Sequence, residues 1–325
     1  MNQTSRKAVA TCVAVVLILY VVCVSMGRQH AHLPSGAPAR RTSEGKAGIL
    51  LLAHGGSHRW NNEVLKLAAK VNKEMPVEVA FGMANKRSFQ DGIDKLLARG
   101  VREIVAVPLF ISSHSSVITS TEYLLGLRKD APQDLARFAK MDHSHTGTAD
   151  TMMMDGSFDP TTPLKLGVHV RMTAALNRHD LVADILLSRA RSISQKPTNE
   201  VVVIVAHGPV PDEDNAKWLG DMRVLVEHIQ LASSFERIEY LTLRDDAAEE
   251  VRAKATAELR SVVNRATVEG KKVLVVPLLL SYGGIEEGLK KRLEGLNYAI
   301  SNQGLLPDKR LVRWVLLEAR DAAQN

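Results

Sequence analysis

The chain contains the same order of motifs twice, and this repeat limits its fold more than any other feature. Residues 51–56 (LLAHGG) have their counterpart in residues 203–209 (VIVAHGP). Residues 105–117 (VAVPLFISSHSSV) have theirs in residues 274–286 (LVVPLLLSYGGIE). Because both pairs occur in the same order, we predict a tandem duplication of one domain.

The repeated motifs include continuous apolar runs, which are typical of parallel strands covered on both faces. Segments in which apolar residues recur at helical spacing, such as 62–74 and 89–99, follow these runs. Strands and helices that alternate at these lengths predict βαβ units with right-handed crossovers. We therefore predict an α/β fold of two tandem lobes over residues 47–195 and 199–325, each with a mainly parallel sheet flanked by helices.

One segment of the first lobe does not follow the repeat. Residues 139–163 are predicted to form a loop-like insertion, after which residues 164–190 would close the first lobe with a strand and a helix. The insertion contains His143 and His145, which are either solvated surface histidines or a relay that carries metal toward a site. The sequence leaves the role of this insertion open.

The N-terminus predicts export. Arg6 and Lys7 precede a run without charge from Ala8 to Met26. A run of this length can span a bilayer, and positive charges before it favour an orientation with the rest of the chain outside the cytoplasm. We predict an uncleaved membrane anchor, with a cleaved signal as the alternative, over residues 1–27, and a flexible linker over residues 28–46.

The composition argues against several classes of function. The formal net charge is +6, but the basic residues are spread along the chain without aromatic interleaving, so we predict no nucleic-acid partner. Both cysteines, Cys12 and Cys23, lie in the N-terminal apolar run. The two lobes therefore have no thiol, and a transition metal there must be held by histidine and carboxylate groups.

Two histidines follow predicted strands of the first lobe. His54 comes directly after one strand, and His114 lies just past another. Because parallel strands deliver their carboxyl ends to one edge of the sheet, both histidines are expected there, next to small Gly and Ser residues. Two neutral imidazoles at an accessible edge make an open half-site for Co, Ni, Fe or Zn. The alternative is that each is an ordinary loop histidine.

The second lobe retains half of this pattern. His207 occupies the position that corresponds to His54, whereas Gly283 occupies the position that corresponds to His114. We therefore predict that the first lobe is active and that the second lobe is a degenerate copy.

Familiar enzyme motifs of other classes are absent from the sequence. His-Gly-Gly after a strand also occurs in lipases and esterases, but those enzymes need a Gly-x-Ser-x-Gly elbow, which this chain lacks. The sequence also contains no P-loop and no Gly-x-Gly-x-x-Gly fingerprint. We therefore expect no organic cofactor.

Residues 52–57 (LAHGGS), 79–81 (VAF) and 107–114 (VPLFISSH) resemble, in this order, the motifs of the sirohydrochlorin chelatases. This family comprises the CbiX cobaltochelatases and the SirB ferrochelatases. The resemblance covers both halves of the chain and implies two chelatase-like, flavodoxin-like lobes with a tetrapyrrole bound in the cleft between them. It also implies that the two metal-binding histidines correspond to His54 and His114.

The expected activity is the insertion of a divalent metal into sirohydrochlorin or a related tetrapyrrole, with Co²⁺ first and Fe²⁺ or Ni²⁺ as alternatives. His54 would be a metal ligand and proton acceptor, and His114 a second ligand. The residues expected to bind the tetrapyrrole are Gly55, Gly56, Ser57, Ser112 and Ser113, with Lys86 and Arg87 as candidate donors to its carboxylates.

A second class of function is also compatible with the sequence. A metal-binding or tetrapyrrole-carrying protein outside the cytoplasm could have kept this fold without turnover. The export signal and the degenerate second lobe would suit such a protein. The identity of the metal, the tetrapyrrole and the oligomeric state are left open by the sequence.

Overall fold

A computed structural model describes residues 46–140 and 159–324. The first half forms one parallel sheet and the helices that connect its strands. The strands are β1 (Ala47–Ala53), β2 (Val77–Phe81), β3 (Glu103–Pro108) and β4 (His169–Met172); the helices between them are α1 (His58–Val71), α2 (Lys86–Ala98), α3 (Ser116–Leu124) and α4 (Leu135–Ala139).

The second half repeats this plan after one connecting helix. The connecting helix is α5 (Asp180–Ile193), and a 3₁₀ turn at Pro197–Asn199 follows it. The strands of the second half are β5 (Glu200–Ala206), β6 (Arg237–Thr242), β7 (Lys272–Leu278) and β8 (Ala299–Ile300); its helices are α6 (Asp212–Leu231), α7 (Glu249–Val268), α8 (Ile285–Arg292) and α9 (Lys309–Gln324).

The two sheets have the same topology. The strand orders are β2-β1-β3-β4 and β6-β5-β7-β8, and all the pairings are parallel. The registers also correspond, since Leu52 is aligned with Pro108 in the first sheet and Val205 with Pro277 in the second. The predicted α/β fold of two lobes is therefore confirmed, and the matching registers agree with the predicted alignment of the two halves.

The central strands are buried on both faces, which explains why their sequences are continuously apolar. In β1, Ile49 and Leu51 contribute to a core that extends between the two lobes, whereas Leu50 and Leu52 face a separate outer core. Residues of β5 alternate between the shared core and an outer core of the second lobe in the same way. The shared core makes the two lobes one compact unit.

Two helices are exchanged between the lobes. Helix α5 was expected to close the first lobe, but it packs against α6 and β7 of the second lobe. Helix α9, at the end of the second half, packs against α1 and β3 of the first lobe. An ion pair of 2.7 Å between Arg320 of α9 and Glu74 after α1 joins the same two regions. Each sheet therefore depends on a helix from the other half of the sequence.

Local capping explains where α1 begins. The predicted helix over 62–74 starts earlier, at His58, because the Ser57 hydroxyl accepts a hydrogen bond from the Trp60 amide and caps the helix. The described end of the insertion, residues 159–163, contacts the start of α2. Lys86 donates to the Asp159 carbonyl at 2.7 Å and to the Thr162 hydroxyl at 2.8 Å.

Several predictions fall on parts of the chain outside the described residues. These are the export segment, the linker up to residue 45, and the His143 and His145 pair. Within residues 46–140 and 159–324, no helix is both long enough and apolar enough to cross a membrane. The predicted anchor at residues 1–27 therefore stays a prediction.

Candidate functional site

The loops that carry His54 and His114 lie at one edge of the first sheet. His54 directly follows β1, and His114 comes six residues after the end of β3. Because β1 and β3 are adjacent parallel strands, both loops leave from their carboxyl ends. This is the edge at which sheets of this type bind ligands.

The orientation of the His54 ring is set by its immediate neighbours. Its Nδ1 lies against the Gly55 carbonyl oxygen, which can only accept a hydrogen bond. The His54 ring is therefore turned toward the backbone of the same turn. Gly55 has a φ of +79°, a backbone conformation that glycine adopts at little cost. The turn after β1 thus keeps the imidazole close to the backbone.

Two aromatic rings flank His54. The Trp60 ring lies 4.3 Å from the His54 ring and the Phe110 ring 6.1 Å from it, measured between ring centroids. Trp60 is buried in α1, and Phe110 lies half-buried in the loop that follows β3. These contacts leave few orientations open to the His54 side chain.

The His114 loop is held by hydrogen bonds of the two serines before it. The His114 amide donates to the Ser112 hydroxyl at 3.1 Å, and Ser112 is buried. The Ser113 amide donates to the Asn177 side-chain oxygen at 2.6 Å, and the Ser113 hydroxyl accepts from the Asn177 amide nitrogen at 3.1 Å. The structure thus gives both serines the role of holding His114. Their contact with the tetrapyrrole stays a prediction.

The second lobe contacts His114 through helix α6. The Trp218 indole nitrogen donates to the His114 carbonyl at 2.9 Å. The Asp221 carboxylate Oδ2 lies 3.8 Å from His114 Nε2. Burial raises the pKa of the Asp221 carboxyl, against the lowering effect of His114 and Arg178. These are the residues that the sequence reasoning missed. Their spacing places them on one face of a predictable helix, but nothing in the sequence says that this face meets the first lobe.

His207 has the same place in the second lobe as His54 in the first, but different neighbours. Asp245 Oδ2 lies 3.5 Å from His207 Nδ1, and Asp246 Oδ2 lies 3.1 Å from His207 Nε2. Burial disfavours the charged ring, but the two carboxylates outweigh it and raise the pKa of His207 to about 9. His207 is therefore protonated at neutral pH, and a protonated imidazole does not bind a metal ion.

Gly283, which stands where His114 stands in the first lobe, lies against the first lobe. A Cβ atom placed on Gly283 would be 3.3 Å from Trp60 Cδ1 and 3.7 Å from the Ser57 hydroxyl oxygen. The loop after β7 therefore approaches α1 closely, and a larger side chain would have to displace Trp60. The second lobe is thus without the histidine pair, as the sequence indicates.

The remaining predicted residues are placed as follows. Gly56 donates its amide to the Asn61 side-chain oxygen at 2.9 Å, and Ser57 is exposed at the start of α1. Lys86 contacts the end of the insertion, and Arg87 is exposed beside it. Among the described residues, no group of three or more His, Cys, Asp or Glu side chains is gathered into a metal-binding cluster.

Comparisons with known proteins find a matching family model and a similar curated protein. The CbiX family model matches residues 48–193. A sirohydrochlorin cobaltochelatase of Methanothermobacter thermautotrophicus is 29% identical over 89 residues, which cover 26% of this chain and 62% of that protein. The match thus spans less than two thirds of that relative's length.

Solved structures extend the likeness to both lobes. SirB from Bacillus subtilis with Fe³⁺ superposes with a TM-score of 0.56 at 16% identity, over 86% of this chain and 96% of that chain. The sirohydrochlorin chelatase SirB from Bacillus subtilis subspecies spizizenii, in complex with cobalt, gives 0.52 at 15% identity over the same shares. At this identity the likeness shows the fold alone.

The fold is a two-lobed α/β fold similar to that of the solved SirB structures. The resemblance to the sirohydrochlorin chelatases is confirmed, and the part of the chain that matches the CbiX family is its first half.

Proposed function

We propose that this protein inserts a divalent metal ion into sirohydrochlorin or a closely related tetrapyrrole. One observation carries the proposal. The loops of His54 and His114 share the carboxyl edge of the first sheet, in the part of the chain that matches the CbiX family. The second lobe has a protonated histidine and a glycine at the equivalent positions, so the reaction is assigned to the first lobe.

The reaction needs groups that hold the metal and accept protons. Insertion replaces the two pyrrole N–H protons of the macrocycle by the metal ion, which must also lose water. His54 is suited to hold the ion or to accept a proton, because a neutral imidazole can do either. His114 is assigned as the second ligand. Gly55 and Gly56 let a flat ring approach the backbone closely.

Cobalt is the first choice of metal, with Fe²⁺ and Ni²⁺ as alternatives. The relative from Methanothermobacter is named a cobaltochelatase, and the two SirB structures hold Fe³⁺ and cobalt. Imidazole ligands suit all of these metals, so the ligand type does not select among them. The metal is a substrate of this reaction and not a resident cofactor.

A spectroscopic assay tests the proposal. Purified full-length protein is incubated with sirohydrochlorin and Co²⁺, Fe²⁺ or Ni²⁺ in separate reactions, and the absorption of the macrocycle is followed. We expect the shift of the metallated ring to appear faster than in the reaction without protein. Binding of sirohydrochlorin without faster metallation would contradict the enzyme and support the carrier instead.

We also propose that the N-terminal segment takes the two lobes out of the cytoplasm. Support comes from Arg6 and Lys7, followed by the run without charge from Ala8 to Met26. Protease treatment of spheroplasts is expected to degrade the lobes while a cytoplasmic marker stays intact. Protection of the lobes until the membrane is lysed would contradict this location.

A further inference from the structure

We propose that Asp221 of the second lobe is a ligand of the incoming metal ion, together with His114 of the first lobe. This inference rests on the proposed function, since it assigns the ion that is to be inserted. It gives the second lobe a chemical role, although that lobe has lost the histidine pair.

The separation of the two ligand atoms fits a shared ion better than a direct bond. Asp221 Oδ2 and His114 Nε2 are 3.8 Å apart, beyond the ~3.2 Å limit of an ordinary N–H···O hydrogen bond. Nitrogen and oxygen ligands of a Zn²⁺-type ion each lie ~2.0–2.2 Å from it, so two of them are roughly 3–4 Å apart. The observed gap has room for a cation between the two groups.

The surroundings of Asp221 also favour a cation. Its side chain is 15% exposed, and within the described part of the chain Oδ2 is buried and accepts no hydrogen bond. A buried carboxylate oxygen without a donor is unfavourable unless a positive charge compensates it. Arg178 and His114 compensate this burial only in part, and a metal ion on Oδ2 would supply the remaining charge. The His114 side chain is 39% exposed, so the pair is accessible from solvent.

Helix α6 holds this arrangement in place. Trp218 and Asp221 are three residues apart and therefore lie on the same face of the helix. The Trp218 indole donates to the His114 carbonyl at 2.9 Å, which fixes the distance between the helix and the His114 loop. The Asp221 carboxylate is thus positioned by a rigid element before any metal arrives.

The first test measures Co²⁺ binding to the full-length protein without any tetrapyrrole. We expect Asp221→Asn to weaken Co²⁺ binding about tenfold or more, the effect typical of losing a group of the metal's coordination environment. Glu227→Gln is the matched control, because Glu227 is an exposed carboxylate on the same helix. Thermal unfolding followed by circular dichroism verifies that each variant is folded.

A second variant tests for direct coordination. In Asp221→Cys, a thiolate bound to Co²⁺ gives a charge-transfer band in the near ultraviolet, which appears only when the sulfur is bonded to the metal. Glu227→Cys should give no additional band, and the wild-type spectrum corrects for Cys12 and Cys23. A residue that merely positions His114 would not produce this signal.

The outcomes separate this inference from the proposed function. It is overturned if Asp221→Asn binds Co²⁺ as tightly as the wild type, if Asp221→Cys gives no band, or if the wild type binds no Co²⁺. The proposed function is judged separately, by metal insertion into sirohydrochlorin. If the wild type binds Co²⁺ through Asp221 but inserts no metal, Asp221 remains a metal ligand and the proposed enzymatic function is rejected.

Discussion

His54 and His207 stand at the same position in two sheets of the same topology, yet their surroundings give them different chemistry. His54 lies between Trp60 and Phe110, whereas His207 lies between two carboxylates. The comparison teaches that the Ala-His-Gly motif positions an imidazole but does not determine its charge. The charge is set by the neighbouring loop.

That loop follows the strand next to the motif. Gly82 and Leu243 make the same hydrogen bond, from their amides to the last residue of β1 and of β5. Ala84 and Asp245 each lie two residues after the residue that donates this bond. Asn85 and Asp246 each lie three residues after it. Asn85 caps α2, and Ala84 is buried. The first lobe thus lacks both of the carboxylates that hold His207 in its charged form.

The largest expected effect tests which lobe is active. We expect His54→Ala or His114→Ala to lower the rate of metal insertion about 100-fold or more, because each removes a proposed ligand or proton acceptor. His207→Ala should stay within about threefold of the wild type. Initial rates of sirohydrochlorin metallation measure all three. If a variant at residue 54 or 114 inserts metal at the wild-type rate, that residue is not part of the site.

The next effect concerns the charge of His207. A histidine with a raised pKa stabilises the folded state fully below its unfolded value of about 6.5, and this contribution is lost as the pH rises through about 9. We expect His207→Gln to lower the free energy of unfolding by at most about 3 kcal/mol at pH 6, and by much less at pH 9.5. Urea titrations at both pH values measure it. Equal losses at the two pH values would show that His207 is not charged as described.

A smaller effect is expected where the second lobe meets Trp60. Restoring the repeat by Gly283→His should cost about 1–3 kcal/mol, because the ring has to displace Trp60. Gly283→Ala, whose Cβ would require Trp60 to move by only a few tenths of an ångström, should cost less. Urea unfolding midpoints compare the two variants. If Gly283→His were as stable as the wild type and inserted metal faster, the second lobe would be able to carry a site of its own.

The smallest effect separates two roles of Lys86. The structure engages its ammonium with Asp159 and Thr162, so we expect Lys86→Met to cost up to about 1 kcal/mol of stability. The KM for sirohydrochlorin should stay within about twofold. A KM that rises tenfold or more would instead make Lys86 a donor to the carboxylates of the substrate.

The fold was largely predictable because the sequence signals were local and repeated. Buried parallel strands produce continuous apolar runs, and the proline of the Val-Pro-Leu motif has the same register in the two sheets, at Pro108 and at Pro277. The strand predicted to close the first lobe is present as β4, but the helix that follows it, α5, packs on the second lobe. A helix such as α5 has the same apolar pattern whichever lobe it covers, so its packing on β7 could not be derived from its own residues.

Only the residues that the first lobe contributes to the candidate site could be predicted from the sequence. His54 and His114 each follow a predicted strand, so their positions in the sequence identify them as candidates. Trp218 and Asp221 reach the site from another lobe, about 100 residues later in the sequence, and such a contact depends on how the lobes are docked. The pairing of His207 with Asp245 and Asp246 likewise depends on a loop conformation that has no sequence pattern of its own.

The exchange of α5 and α9 has a consequence for any attempt to divide this protein. A fragment ending near residue 195 would carry α5 without the strands that it covers, and would leave β3 without Trp314 and the other apolar residues of α9. Such half-molecules would expose the shared core and should aggregate unless they are produced together. Neither half could then be removed without exposing the core that it shares with the other, although only the first half contains both His54 and His114.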